Sequence, residues 1–130
     1  MIDTPQRAMA EAESWLSSAI DKLALAENDE GAATVCCAIA IHAIIRANDA
    51  ITLKHLQVKS TRHDDASVLF SKILKQNKLP GADKRFLGLL QKAMVDKSGA
   101  DYGKSTFSYE DAKQYVEDAQ EFVSVMKGRL

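Results

Sequence analysis

The stretch from Glu30 to Leu56 constrains this chain more than any other, because it is apolar on nearly every side. Read as a helix, it distributes Val35, Ile39, Ile41, Ile44, Ile45, Ile51 and Leu53 around almost its whole circumference. A helix that is apolar all round is a buried one. The stretch is too long for a core strand and lacks a strand's alternation. One polar line interrupts it. His42, Arg46 and Asp49 recur at i, i+4 and i+7 and therefore share a face. The chain is expected to fold around this helix, with the other segments covering it. Inside a bundle, an Arg46–Asp49 pair would be structural, because a buried charge needs a partner. At an open cleft, the same line would be a polar groove for a ligand.

With 130 residues the chain reads as one helical domain over 1–130, long enough for a real core. Charged residues make up 27% and apolar ones 46%, an ordinary globular balance. The net charge of -1 excludes an overall electrostatic grip on nucleic acid or anionic lipid, and leaves room only for a local basic patch. His42, Arg46 and Asp49 break the longest apolar run below the about 18–20 residues of a membrane span, so no span is expected. The N-terminal MIDTPQRAMAEAES has no basic-then-apolar targeting pattern, and the expected compartment is the cytoplasm. The two cysteines, Cys36 and Cys37, are adjacent. A bond between helical neighbours would strain the backbone, and the pair lacks zinc-ligand spacing. They read as small core residues, with a redox switch as the alternative. No metal or cofactor is expected.

The remaining segments read as helices. Thr4 and Pro5 are a good cap and first-turn pair for a first helix. Its stripe is Ala8, Ala12, Trp15, Ala19, Leu23 and Ala26, with Trp15 expected as a core anchor. Asn28 and Asp29 end it and offer a cap for the central helix. A third helix is expected over 64–77, with Ala66, Leu69, Phe70, Ile73 and Leu74 inward and Asp64 and Asp65 complementing its positive end. Those two aspartates also admit a metal-pair reading, which first-turn acids seldom justify. A fourth helix is expected over 82–97, carrying Phe86, Leu90, Ala93 and a snorkelling Lys97. Residues 98–107 read as a turn-rich connection. Ser108 to Asp111 resembles a capping box, opening a last helix with a stripe through Ala112, Tyr115, Val116, Ala119, Phe122, Val123 and Met126, and Gly128 as its stop. The fold class that follows is all-α: an antiparallel up-and-down bundle of four to five helices.

Three features can carry chemistry. The first is the His42, Arg46 and Asp49 line. The second is a basic loop with Lys54, His55, Lys59, Arg62 and His63, either a solvated loop or a phosphate-contacting patch. It has no interleaved aromatic, which weakens it as a single-strand stacking platform. The third is KSGADY, with Lys97, Asp101 and Tyr102. Its plainer reading is a loop lock, with Asp101 accepting backbone N–H groups and Tyr102 packed on the last helix.

Taken with their spacing, these elements resemble the HEPN superfamily of helical proteins, in the branch with a buried YYAxFH-like helix, a threonine or serine before a histidine, RxxADY and a capped final helix. The matching segments here are CAIAIHAIIRANDA with His42 at the FH position, STRHDDASVLF, KSGADY with Lys97 at the arginine position, and FSYEDAKQYVEDAQEFVSVM. The resemblance covers about residues 10–127. It implies a HEPN-like bundle that forms a homodimer, often beside a nucleotidyltransferase partner protein in a toxin–antitoxin pair. Many members are metal-independent ribonucleases that use an arginine followed four to six residues later by a histidine. This chain departs there: Lys97 replaces the arginine, and Asp101 and Tyr102 stand where the histidine would be.

That departure matters chemically. Attack of a 2′-OH on phosphate needs a base near neutral pKa and a cation on the phosphorane oxygens. Lys97 supplies a cation without bidentate geometry, and a tyrosine of ordinary acidity is a poor base. The leading expectation is therefore a non-catalytic dimer that binds RNA, a nucleotide or a partner protein. Its ligand-binding candidates are His42, Arg46, Asp49, Lys59, Arg62 and His63. A ribonuclease with a variant site at Lys97, Asp101 and Tyr102 is the second reading, and a purely structural oligomer the third.

Overall fold

The computed structural model describes residues 2–61, 65–102 and 106–130, apart from the side chain of Tyr102. Five α-helices pack together, and no strand occurs among the described residues: α1 (Pro5–Leu23), α2 (Glu30–Leu56), α3 (Asp65–Lys75), α4 (Phe86–Tyr102) and α5 (Tyr109–Lys127). A short 3-10 turn, Gly81–Arg85, leads into α4.

Local chemistry sets the ends of these helices. Thr4 Oγ1 accepts from Arg7 N at 3.1 Å, with Pro5 at the first helical position. Asp29 Oδ1 accepts from Ala32 N at 3.0 Å and opens α2, while Asn28 takes the left-handed φ of 62° that turns the chain between α1 and α2. Gln57, with φ 58°, ends α2 in the same conformation. Ser108 and Asp111 form the expected reciprocal box: Ser108 Oγ accepts from Asp111 N at 3.1 Å, and Asp111 Oδ2 accepts from Ser108 N at 3.0 Å. Ser108→Ala is expected to cost about 1 kcal/mol, read as a lowered urea midpoint at constant slope.

The core is built around α2, as its composition demands. α1, α3, α4 and α5 all pack on it, burying Cys36, Cys37, Ala40, Ile41, Ile44, Ala47 and Ile51 completely. Alanines at 8, 12 and 19 let α1 lie close against it. Phe122 of α5 closes the opposite side, edge-on to Phe86 at 5.1 Å and tilted against Phe70 at 6.2 Å. Burial pushes the Cys36 thiol up to about 11 and that of Cys37 up to about 12, so neither is a ready thiolate.

Four expectations need correction. Trp15 is not a core anchor: it is 41% exposed. Small alanines bring α1 so near to α2 that an indole on the edge of the stripe stays outside. Val35 is likewise exposed, so α2 is not covered on every side. Lys97 does not end α4, which runs five residues further to Tyr102, so Asp101 sits on a helix rather than in a loop. Gly128 caps α5 in the right-handed region, with φ -67°, rather than in a left-handed stop. By length and composition, α2 is the one helix among the described residues that is apolar enough to cross a membrane, despite its charged line.

Candidate functional site

The polar line of α2 lies in the gap that α1 and α4 leave over it. From α1, Glu11 and Trp15 face it at i, i+4 spacing. Past the C-terminal end of α2, Lys59 and Ser60 return to it. From α4, Lys97 and Asp101 reach it from one turn apart. The fold thus gathers onto one surface two of the features that were separate in sequence, the α2 line and KSGADY, together with the near end of the basic loop.

Arg46 is the hub. Its Nε donates to Glu11 Oε2 at 2.8 Å, Nη2 to Asp3 Oδ1 at 2.9 Å and Nη1 to Asp49 Oδ2 at 3.3 Å. Lys59 Nζ donates to the other oxygen of Asp3 at 3.2 Å. Asp49 is buried, and its Oδ1 accepts from the hydroxyl of Ser60 at 2.9 Å and from Ser60 N at 3.3 Å. The hydrogen bond from Arg46 holds the Asp3 carboxyl at about 2, and the same guanidinium lowers Glu11. Asp49 moves the other way: burial raises it, against the opposing pull of Ser60 and Arg46. The Arg46–Asp49 contact therefore follows the structural reading of the line, since the guanidinium is saturated by carboxylates.

His42 is different. Its ring stacks on Trp15 with centroids 5.0 Å apart and planes 26° apart. Its Nε2 stands 3.4 Å from Asp101 Oδ1, and the side chain is 34% exposed. Lys97 Nζ donates to Asp101 Oδ2 at 2.9 Å. A histidine, a carboxylate and an ammonium thus meet beside an open indole. His42, from α2, stands beside the Lys97–Asp101 pair of α4. Asp101 is not the backbone-accepting loop lock of the plainer expectation, because its oxygens face His42 and Lys97.

The structure brings together His42, Arg46, Asp49, Lys59, Lys97 and Asp101. Arg62 and His63 lie outside the described residues, as does the side chain of Tyr102. Sequence reasoning missed Asp3, Glu11 and the outward face of Trp15. A signal was present: Glu11 and Trp15 are one helical turn apart, and a tryptophan among alanines is too large for a close helix contact. Among the described residues no three histidine, cysteine or acidic side chains gather as a metal site. Compared with known proteins, the chain matches no family model and no curated protein.

Proposed function

We propose that this chain is a HEPN-like helical bundle that works as a homodimer and binds single-stranded RNA or a nucleotide without cleaving it. The observation that carries the reading is the half-exposed Trp15, stacked on His42 at 5.0 Å. It stands on the same line of side chains that ends at Lys59 of the basic loop. That loop has no aromatic of its own, and α1 supplies one. An open ring face holds a base by stacking, and because Lys59 is itself paired with Asp3 at 3.2 Å, binding rests on that stack more than on phosphate charge. The absence of cleavage follows from charge pairing. Arg46 is held by Asp3, Glu11 and Asp49, and Lys97 by Asp101, so neither cation is free for a phosphorane oxygen.

The test is a gel shift and cleavage assay with single-stranded RNA at low salt in EDTA. Intact, shifted RNA is expected. Trp15→Ala should weaken binding about tenfold, within the range for one base–aromatic stack. Sedimentation should give twice the chain mass. RNA left unshifted and whole by the wild type would remove the reading, and a partner-protein role, such as one beside a nucleotidyltransferase, would take its place.

The second reading, a metal-independent ribonuclease, is favoured by one contact: His42 within 3.4 Å of Asp101, itself held by Lys97. In that reading His42 is the base and Asp101 orients it. It predicts cleavage in EDTA that is lost in both His42→Ala and Lys97→Ala.

A further inference from the structure

A second open feature lies between α3 and α4 and shares no residue with the polar line. It is a groove of about 460 Å³ that includes Val68, Ser71, Lys72 and Lys75 of α3 with Leu87 and Gln91 of α4. Core packing accounts for only part of its floor, through Leu87. The buried face of α3 is Ala66, Phe70 and Ile73, whereas Val68 points away from that stripe and is 65% exposed. Leu87 is only partly buried and continues the apolar strip. Lys72 and Lys75 flank it, and neither has an ion pair among the described residues.

The charge lining this groove is of one sign: Lys72 and Lys75 stand in it, and no acidic side chain among the described residues does. By contrast α5 carries Glu110, Asp111, Glu117, Asp118 and Glu121, and Glu121 pairs with Arg85 at 3.6 Å. A positive groove with an apolar floor is complementary to a negative ligand with an apolar stripe. The groove contains no aromatic ring for a base to stack on, and an exposed valine adds nothing to a phosphate contact.

We propose that the α3–α4 groove receives an acidic amphipathic helix of a partner protein. Its apolar side chains, one turn apart, rest on Val68 and Leu87. Its carboxylates meet Lys72 and Lys75, and Ser71 and Gln91 hydrogen-bond its rim. This is the helix-in-groove mode, with charge setting which helices enter. It stands independently of RNA binding at the Trp15 face.

The probe is a fluorescein-labelled 18-residue helical peptide with leucines one turn apart and glutamates elsewhere, followed by anisotropy on the full chain. Controls are a scrambled peptide of the same composition and a 12-nucleotide oligouridylate. The striped peptide should bind at least tenfold more tightly than the scrambled one. Val68→Glu and the double variant Lys72→Glu/Lys75→Glu should each weaken it tenfold or more while keeping the wild-type melting temperature, since all three side chains are exposed. No binding, equal binding of the scrambled peptide, or affinities unchanged in both variants would overturn the proposal. Oligouridylate binding lost in the lysine variant but kept in Val68→Glu would replace it with a phosphate surface. A peptide-free dimer dissolved by Val68→Glu would make a second copy the occupant instead.

Discussion

Arg46→Met is expected to cost the fold about 1–3 kcal/mol at neutral pH, the range for leaving a buried acceptor, here Asp49, without its hydrogen-bond partner. Methionine keeps most of the packing volume but leaves Asp3, Glu11 and Asp49 facing each other without the guanidinium that joined them. The effect should depend on pH in a defined direction. Asp3 and Glu11 titrate below their ordinary values in the folded state because of Arg46. Groups of that kind contribute stability above their unfolded values, and the contribution is lost as pH falls through the folded ones. The window here opens near 4.5 and closes near 2. Asp49, raised by burial, runs the other way and loses stability as pH rises through its folded value. The wild type should therefore weaken on acidification through this window more than Arg46→Met does. Urea unfolding at pH 7 and pH 3 measures both. An equal loss at the two values would mean that the carboxylates do not depend on Arg46.

Phe122→Ala should be the most damaging single truncation in the chain, at about 3–5 kcal/mol. The ring is fully buried and joins α5 to Phe70 of α3 and to Phe86 at the start of α4. A cavity here removes the ring contacts of α5 with both elements at once, while α3 keeps its packing on α2 and α4. For a chain of this size the loss corresponds to a fall of roughly 10–20 °C in Tm. Calorimetry on this variant beside Phe122→Leu checks it. Leucine refills part of the space and should recover more than half of the loss. A loss under about 1 kcal/mol for alanine would mean that the surrounding helices close over the gap.

Much of the helical framework was legible before any coordinates. α2 was read over its observed bounds because its signals are local: an aspartate cap, an unbroken apolar pattern and a polar loop after it. The Thr4 cap and the box at Ser108 were equally readable, since each needs only residues within one turn. α4 was misplaced for a related reason. Gly99 and Ser98 weaken a helix on their own, but contact between α4 and α2 keeps the helix going beyond Lys97, so tertiary packing overrode propensity there.

The candidate site divides in the same way. His42, Arg46 and Asp49 share a face by helical spacing alone, and that spacing was visible. What each meets was not. Arg46 contacts Asp3 and Glu11 across 43 and 35 residues of chain, and Arg129 clasps Asp83 across 46. His42 meets Asp101 only because α4 ends beside the middle of α2. Helix caps and apolar stripes are set by neighbours within a turn or two, so sequence by itself determined the capped helices and the inward face of α2, but not where α4 ends. The exposure of Trp15, the neutralised cations and the open α3–α4 groove depend on how closely separate helices approach. Only tertiary packing decides that, because side-chain volume at each crossing sets the distance and no local pattern records it.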